Sequence, residues 1–272
     1  MKITILTVVY NCEKYIEEAV NSVLEQTYDD IEYIIVDGKS SDNTWGIIQR
    51  IEQDTDGQPH HIAKAISEKD EGLYDAINKG VRMATGDYIG IVHANDRFYS
   101  ADVVEHVARK LAETHCDLLY GDGMFVNADN ISQETRNWVG GKYSKRKVRF
   151  GWLPLHPTVY VKKTVYEKYG LYDKSFRIAG DTDLLVRLLY SQNLHVAYLH
   201  KYIIRMRMGG MSTSRSLTTS KWAEDMRVVK RYQLPRLFLP CKVLRKIPQF
   251  LTARGGVSYV FSKLIKIMFK HK

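Results

Sequence analysis

The strongest constraint on the fold is the alternation of two sequence patterns over the first 120 residues. Short runs of β-branched and other apolar residues predict strands at 3–9, 33–38, 61–67, 88–92 and 117–121. The segments between them place apolar residues at three- and four-residue spacing, which predicts amphipathic helices. Strands that are apolar on both faces and separated by such helices are typical of a mainly parallel sheet covered by helices. We therefore predict an α/β fold.

Carboxylates follow several of the predicted strands. Asp37, Asp70 and Asp96 come at or just after strand ends, and ligands of such sheets bind outside the carboxyl ends of the strands. Each could be a simple turn residue. The functional alternatives are a contact from Asp37 to a base or ribose, and a divalent cation bound by Asp96. His93 precedes Asp96 and is either a wall residue or a cation ligand.

The second half, residues 122–225, is less regular. Residues 128–147 predict a long loop or antiparallel excursion, 155–168 a strand leading into a helix, and 195–207 a strand. Asp181 and Asp183 stand at the start of a predicted helix, where capping explains one of them. Asp183 has Arg187 four residues on, an ion-pair spacing, so Asp181 is the better candidate for a general base.

Several nucleotide and hydrolase motifs are absent from the sequence. No GxGxxG follows the first strand, and GxxxxGK[ST], GxSxG and HExxH do not occur. The three cysteines are far apart, which excludes a disulfide framework and favours a reducing compartment. The apolar run at 3–9 is too short for a secretory signal, so we expect a cytoplasmic protein.

The net charge of +9 is concentrated at the carboxyl end. Residues 226–272 contain twelve Lys and Arg and no acidic residue, which leaves 1–225 with a net charge of −3. Basic and bulky apolar residues share this extension, and 257–270 predicts an amphipathic helix. The interpretation we favour is peripheral docking on anionic lipid of the inner leaflet. A solvated surface and a helix packed on the core or on another subunit are alternatives, and without a recognised motif we expect no nucleic-acid partner.

Longer stretches of the sequence resemble one family. "ITILTVVYNCEKYIEEAVNSVLEQTYDDIEYIIVDGKSSDNT", "SEKDEGLYDAINKGVRMATGDYIGIVHANDRFY", "LHPTVYVKK", "YGLYDKSFRIAGDTDLLVRL" and "RMRMGGMST" occur in the order found in family 2 glycosyltransferases that build bacterial surface polysaccharides. The resemblance spans residues 1 to 214. It implies a single GT-A domain, Rossmann-like, at 1–225, with a nucleotide-sugar half at 1–121 and an acceptor half at 122–225. The charge and apolar pattern add to this domain a basic amphipathic helical extension at 226–272.

The resemblance also assigns roles to individual residues. Asp181 would be the catalytic base, and Asp96 would bind Mn²⁺ or Mg²⁺. Trp152 and His156 would face the acceptor. The remaining positions implied to bind the nucleotide sugar are Thr7, Val9, Tyr10, Asp37, Asp70, Asn78, Asn95 and Asp96. Asn95 stands where relatives commonly have Asp, which would alter the metal preference.

These roles predict an inverting hexosyltransferase. The donor would be a UDP-sugar carrying a hexose or N-acetylhexosamine, and the acceptor a glycan on a lipid diphosphate such as undecaprenyl diphosphate. The β-glycosidic product would belong to O-antigen, capsule or exopolysaccharide assembly at the inner face of the cytoplasmic membrane. The alternatives are a non-catalytic nucleotide-sugar-binding protein of the same fold and a nucleotidyltransferase.

Overall fold

The first half of the chain forms a parallel four-stranded sheet with helices on both faces. The computed structural model describes residues 1–209 and 218–251. The strands are β1 Ile3–Val9, β2 Ile31–Asp37, β3 Ile62–Ser67 and β4 Tyr88–Ile91, and the helices are α1 Ile16–Leu24, α2 Thr44–Thr55 and α3 Leu73–Met83. The strands pair in parallel in the order β3–β2–β1–β4.

Strand β1 explains why this sheet needs cover on both sides. All seven of its residues are buried, and successive side chains enter different cores. Leu6 and Val8 pack in the core that contains Ile77 of α3, whereas Ile3 and Ile5 pack in the core under α1 and α2. The parallel part of the predicted α/β fold is confirmed.

The second half extends the same sheet with strands of both directions. The elements are β5 Arg97–Phe98, α4 Val103–Thr114, β6 Leu118–Val126, β7 Glu134–Trp138, α5 Lys145–Arg149, β8 Val159–Lys162, α6 Lys163–Tyr169, α7 Gly180–Val186 and β9 Val196–Arg207. Strand β8 lies antiparallel between β4 and β6, and β6 pairs in parallel with β9. Strands β5 and β7 add antiparallel partners at the edge, so the excursion predicted at 128–147 contains β7.

The basic extension begins with helices that belong to the domain core. These are α8 Thr218–Arg231, α9 Phe238–Leu244 and α10 Ile247–Leu251. Val228, Phe238 and Leu239 are buried in the same core as α3 and α7. This part of the extension therefore packs on the core, as one of the alternative interpretations has it. The predicted helix at 257–270, and all but the first residue of the predicted loop at 209–214, lie outside the described residues.

Helices α9 and α10 also present apolar side chains to solvent. Leu237, which precedes α9, is 58% exposed, and Val243, Leu244 and Ile247 are exposed to a similar degree. Within 1–209 and 218–251, none of the helices combines the length and apolar character needed to span a bilayer.

Candidate active site

The carboxyl ends of β1, β2 and β3 meet at one edge of the sheet. The strand register aligns Val9 with Asp37 and Asp37 with Ser67, so the residues that follow these strands are neighbours. A parallel sheet produces this alignment because its strands all end on the same side. Tyr10, Asp37 and Asp70 are thereby brought together, as the sequence predicts.

Asp37 is buried, and both of its carboxylate oxygens accept hydrogen bonds. The backbone N–H and the hydroxyl of Ser40 donate to it, and the Ser67 hydroxyl donates to its Oδ2 over 2.6 Å. The Ser40 contact is the turn bond that the conservative interpretation expects. A carboxylate has about four lone-pair positions, so a ligand N–H or O–H can still be accepted. Its contact with the nucleotide stays a prediction.

Tyr10 and Asp70 flank Gly38 at the opening of this edge. The ring of Tyr10 is 64% exposed, which leaves it available to stack against a ligand. A Cβ atom at residue 38 would lie 2.4 Å from Oδ2 of Asp70 and 3.4 Å from the Tyr10 ring. Gly38 therefore permits the close approach of all three residues.

Four of the predicted site residues have buried side chains that contact protein. The Thr7 hydroxyl lies 3.0 Å from that of Tyr33, and Val9 is 5% exposed. The amide of Asn78 bonds in both directions with the main chain of Tyr172, at 2.8 and 2.9 Å. The indole of Trp152 is buried and donates to the carbonyl of Gly140. These contacts fix the walls of the site, and a ligand contact at these positions stays a prediction.

Asp96 is held in the loop after β4 by Arg207. Its side chain has no exposed surface, and its Oδ1 accepts the backbone N–H of Arg207 over 3.1 Å. The Arg207 guanidinium donates to the carbonyl of Asn95 and to the carboxylate of Glu18. The other oxygen of Asp96, Oδ2, is buried and has no hydrogen-bond partner among residues 1–209 and 218–251. Burial raises the pKa of Asp96 to about 7, and Arg207 partly opposes this shift.

The surroundings of Asp96 fit a divalent cation that shares its ligands with a substrate. An unpartnered buried carboxylate oxygen is costly unless something binds it. Among the described residues, no group of three or more His, Cys, Asp or Glu could hold an ion unaided. Mg²⁺ is commonly held by one or two carboxylates together with substrate phosphates and water, and a single Asp meets that requirement.

Asp181 stands in the first turn of α7, beside two histidines. Its Oδ1 accepts the N–H of Thr182, while no hydrogen bond from the described residues reaches its Oδ2. Burial lowers the pKa values of His93 and His156, and the nearby Asp181 charge partly opposes this shift in both rings. Its half-buried side chain and free oxygen suit a general base.

His93 and His156 form an uncharged wall beside Asp181. Their rings stack with centroids 6.0 Å apart, and Nε2 of His156 lies 2.7 Å from the hydroxyl of Tyr172. Burial lowers the pKa of His93 to about 4 and also lowers that of His156. Both rings are therefore neutral at pH 7, and the wall interpretation of His93 agrees with this position.

The expected ion pair between Asp183 and Arg187 does not form. Oδ1 of Asp183 instead accepts from Arg231 of α8 at 2.8 Å and from the hydroxyl of Tyr232. Arg187 turns to the carbonyl of Leu171. The i, i+4 spacing was misleading because Asp183 points into the core, where the tertiary partner from α8 is available.

Sequence reasoning missed residues that act from distant elements. Ser67 engages Asp37, Arg207 holds the loop of Asp96, and Tyr74 donates to the carbonyl of Ile178 beside Asp181. Of these contacts only that of Tyr74 had a local signal in the sequence, because its partner segment contains a glycine, Gly180, directly before Asp181. A Cβ at Gly180 would lie 2.6 Å from the ring of Tyr74, so the sequence requires glycine there.

Comparison with known families agrees with this geometry. The model of the family described as "Glycosyl transferase family 2" matches residues 4–170, more than half of the chain. The chain belongs to glycosyltransferase family 2. The match includes Asp37, Asp70, Asp96 and His156, and it ends before Asp181.

Curated relatives are named glycosyltransferases as well. A "PGL/p-HBAD biosynthesis glycosyltransferase" of Mycobacterium tuberculosis is 28% identical over 206 residues, which cover 75% of this chain and 76% of the relative. An uncharacterised glycosyltransferase of the same organism is 30% identical over 193 residues, or 68% of each chain. The enzyme class of this family 2 member is therefore glycosyltransferase.

Solved structures share the fold at low identity. Residues 1–349 of Staphylococcus aureus TarS, in complex with UDP-GlcNAc, match with a TM-score of 0.65 and 19% identity. The match covers 84% of this chain and 65% of that one, just under two thirds. A Pyrobaculum calidifontis mannosyltransferase with GDP-Man and Mn²⁺ matches with a TM-score of 0.60 and 14% identity, over 99% and 81% of the chains. At these identities the matches establish the GT-A fold.

Proposed function

We propose that this enzyme transfers a hexose or N-acetylhexosamine from a UDP-sugar to a glycan acceptor with inversion, using Asp181 as the base. One observation carries the proposal, namely that the three carboxylates of the site differ in how they are engaged. Both oxygens of Asp37 are bonded, whereas Asp96 and Asp181 each keep one oxygen without a partner among the described residues. Asp37 is thus suited to fixed recognition, and the other two are available for chemistry.

The base role follows from the charge balance of the transfer. An acceptor hydroxyl attacks the anomeric carbon, a new C–O bond forms, and the bond from that carbon to the diphosphate breaks. The hydroxyl proton must go to a nearby base, and Oδ2 of Asp181 is free to take it. Attack opposite the leaving group inverts the anomeric centre, so an α-linked donor gives a β-glycoside.

The donor is assigned to the edge formed by Tyr10, Asp37 and Asp70. A nucleoside offers a flat base and hydroxyl or imide donors, which match an exposed aromatic ring and a carboxylate. The UDP-GlcNAc bound by TarS supports a uridine nucleotide. Asp96, with Asn95 beside it, would hold Mn²⁺ or Mg²⁺ when bound, and the cation would neutralise charge on the leaving diphosphate.

The acceptor is assigned to the side of His156 and Trp152. We place its glycan on a lipid diphosphate, in O-antigen, capsule or exopolysaccharide assembly, because of the exposed apolar surface near the carboxyl end. This docking surface consists of Leu237, Val243, Leu244 and Ile247, with Arg236 and Arg245 also exposed. Apolar and basic side chains together suit the interface of an anionic inner leaflet.

The test of the base is Asp181→Asn, which preserves shape and removes the proton acceptor. We expect turnover to fall by about 10²–10⁴-fold, while UDP-sugar affinity measured by calorimetry stays near wild type. Asp54→Asn, a matched change on the exposed face of α2, should leave turnover unchanged. A panel of UDP-, GDP- and dTDP-sugars, assayed on a lipid-diphosphate GlcNAc acceptor, tests the donor class. Near-normal turnover of the Asp181→Asn variant would show that Asp181 is not the base.

The test of membrane docking uses point substitutions, because deletion from residue 235 would also remove the buried Phe238 and Leu239. Leu237→Glu combined with Leu244→Glu should abolish sedimentation with vesicles that contain anionic phospholipid. Val139→Glu, also at an exposed apolar residue, should leave it intact. Equal sedimentation of both variants with anionic vesicles would contradict docking through this surface.

A further inference from the structure

The segment that carries Asp181 is held by one face of α8. Glu224, Arg227 and Arg231 occupy positions i, i+3 and i+7 of this helix, which places them on one side. Arg227 donates to the carbonyl and hydroxyl of Ser175. Arg231 donates to Asp173 and Asp183, each at 2.8 Å. The two arginines thus fix the beginning and end of the segment 173–183.

Glu224 binds the centre of the same segment through three backbone groups. Its Oε1 accepts the N–H of Arg177 at 2.9 Å, and its Oε2 accepts those of Ile178 and Ala179 at 2.8 Å each. Hydrogen bonds from neutral donors to a carboxylate are stronger than bonds between neutral groups. Three of them on consecutive residues leave this stretch of main chain little freedom to shift.

Helix α7 begins without a side-chain cap from its own N-cap residue. The residue before the helix is Ala179, which has no side-chain acceptor, whereas helix starts usually have Ser, Thr, Asp or Asn there. On the opposite side, the hydroxyl of Tyr74 accepts the N–H of Asp181 at 3.2 Å and donates to the carbonyl of Ile178. Tyr74 thus satisfies one N–H group that the start of α7 leaves open, and Glu224 satisfies those of the three residues directly before the helix.

Because these acceptors come from α8 and α3, the carboxylate of Asp181 is not needed to bind the same N–H groups. From the described residues it accepts the N–H of Thr182 alone, which leaves its Oδ2 for the proposed reaction. The position of Asp181 is therefore set by residues two to four positions before it, which Glu224 binds. A displacement of about 1 Å in a reacting group can cost about 10²-fold in rate.

We infer that Glu224 is a positioning residue, which fixes the start of α7 so that Asp181 meets the acceptor hydroxyl. This inference rests on the proposed role of Asp181 as the base. It predicts that loss of the Glu224 carboxylate lowers the rate of transfer without weakening the binding of the donor. The reason is that Glu224 contacts the main chain before Asp181 and not the donor edge at Tyr10 and Asp37.

Glu224→Gln is the appropriate variant, because it keeps the side-chain length and replaces one acceptor oxygen with an N–H₂ donor. We expect kcat to fall by about 10–100-fold while the KM for UDP-sugar stays within about twofold. Glu167→Gln, a matched change at an exposed glutamate of α6, should alter neither constant. Circular dichroism and urea unfolding show whether all variants are folded at the temperature of the assay.

A second measurement reports on the segment without catalysis. Amide hydrogen exchange at Arg177, Ile178 and Ala179 should be faster in Glu224→Gln than in wild type, and unchanged in Glu167→Gln. In the Asp181→Asn background, Glu224→Gln should cause no further loss of rate, because both changes act through one group.

The outcomes separate this inference from the proposed function. Unchanged kcat in Glu224→Gln, alongside an inactive Asp181→Asn enzyme, overturns the role of Glu224 and leaves the base intact. An equal loss of rate from Glu224→Gln with and without Asp181 also overturns it. Near-normal turnover of Asp181→Asn overturns the base and this inference together. Exchange at Arg177–Ala179 that does not respond to Glu224→Gln overturns the contact itself.

Discussion

At the scale of single residues, the site depends on which polar atoms the protein leaves without partners. Asp96 and Asp37 are both buried at strand ends of the same sheet. Two serines engage Asp37, whereas Asp96 has a backbone N–H on one oxygen and, within the part of the chain that the structure describes, no partner on the other. A buried charge without a partner is costly, so the two carboxylates behave differently although the sequence places them alike.

Asp96→Asn tests the cation at this residue. The amide can still accept the N–H of Arg207, so the loop should keep its conformation, but the charge that attracts a cation is lost. We expect the affinity for UDP in the presence of Mn²⁺ to fall by roughly tenfold or more, as measured by calorimetry. In chelator the two proteins should bind UDP equally. A Mn²⁺ dependence equal to that of wild type would contradict the assignment.

The histidine wall predicts a pH dependence of stability. His156 is neutral when folded because burial lowers its pKa, whereas in the unfolded chain its pKa is about 6.5. The unfolded state therefore binds more protons below that pH, and stability is lost as the pH falls from about 7. The slope for one proton is at most about 1.4 kcal/mol per pH unit.

The comparison of wild type with His156→Gln isolates this contribution. Urea unfolding at pH 7.5, 6.5 and 5.5 should show that wild type loses more stability than the variant as the pH falls. Parallel curves for the two proteins would show that His156 titrates alike in the folded and unfolded states.

At the scale of elements, α3 contacts the start of α7 directly beside Asp181, on which α8 also acts. Tyr74 packs directly against Gly180, and its hydroxyl bonds the main chain on both sides of that glycine. The Tyr74 ring occupies the space that a side chain at residue 180 would need. The close approach of the two helices is therefore fixed by two residues over 100 positions apart in sequence.

Gly180→Ala tests this contact. The new methyl group would lie 2.6 Å from the Tyr74 ring, so the free energy of unfolding should fall by about 1–3 kcal/mol and turnover should fall with it. Gly46→Ala in α2 is the control, because its methyl group would meet only the side-chain tip of Asn43. Urea unfolding and steady-state assays measure both effects. A Gly180→Ala enzyme as stable and active as wild type would contradict the close packing.

At the scale of the whole molecule, the first part of the basic extension packs into the core of the domain, and the turns that follow are exposed. Helix α8 binds the segment of Asp181, and α9 places Phe238 and Leu239 in the core that α3 and α7 share. The next turns present Val243, Leu244 and Ile247 outward. The proposed docking surface and the proposed base, Asp181, therefore lie on helices that pack against one another.

Two neighbouring residues of the extension differ in burial, so substituting them should change the free energy of unfolding by different amounts. Phe238 has no exposed surface, so Phe238→Ala should lower the free energy of unfolding by about 3–5 kcal/mol. Leu237 is exposed, and Leu237→Ala should stay within about 0.5 kcal/mol of wild type. Chemical denaturation of the two variants measures the difference. Equal effects would show that α9 does not pack as described.

The sequence by itself determined the α/β class, the parallel strands β1 to β4, and the carboxylates that follow them. Local periodicity and strand-end chemistry are properties of neighbouring residues, so a sequence displays them directly. Only the tertiary structure decided the antiparallel place of β8, the partner of Asp183 and the contacts of Glu224. These depend on contacts between residues some 45 to 75 positions apart, which form because buried polar groups must find partners wherever the fold supplies them.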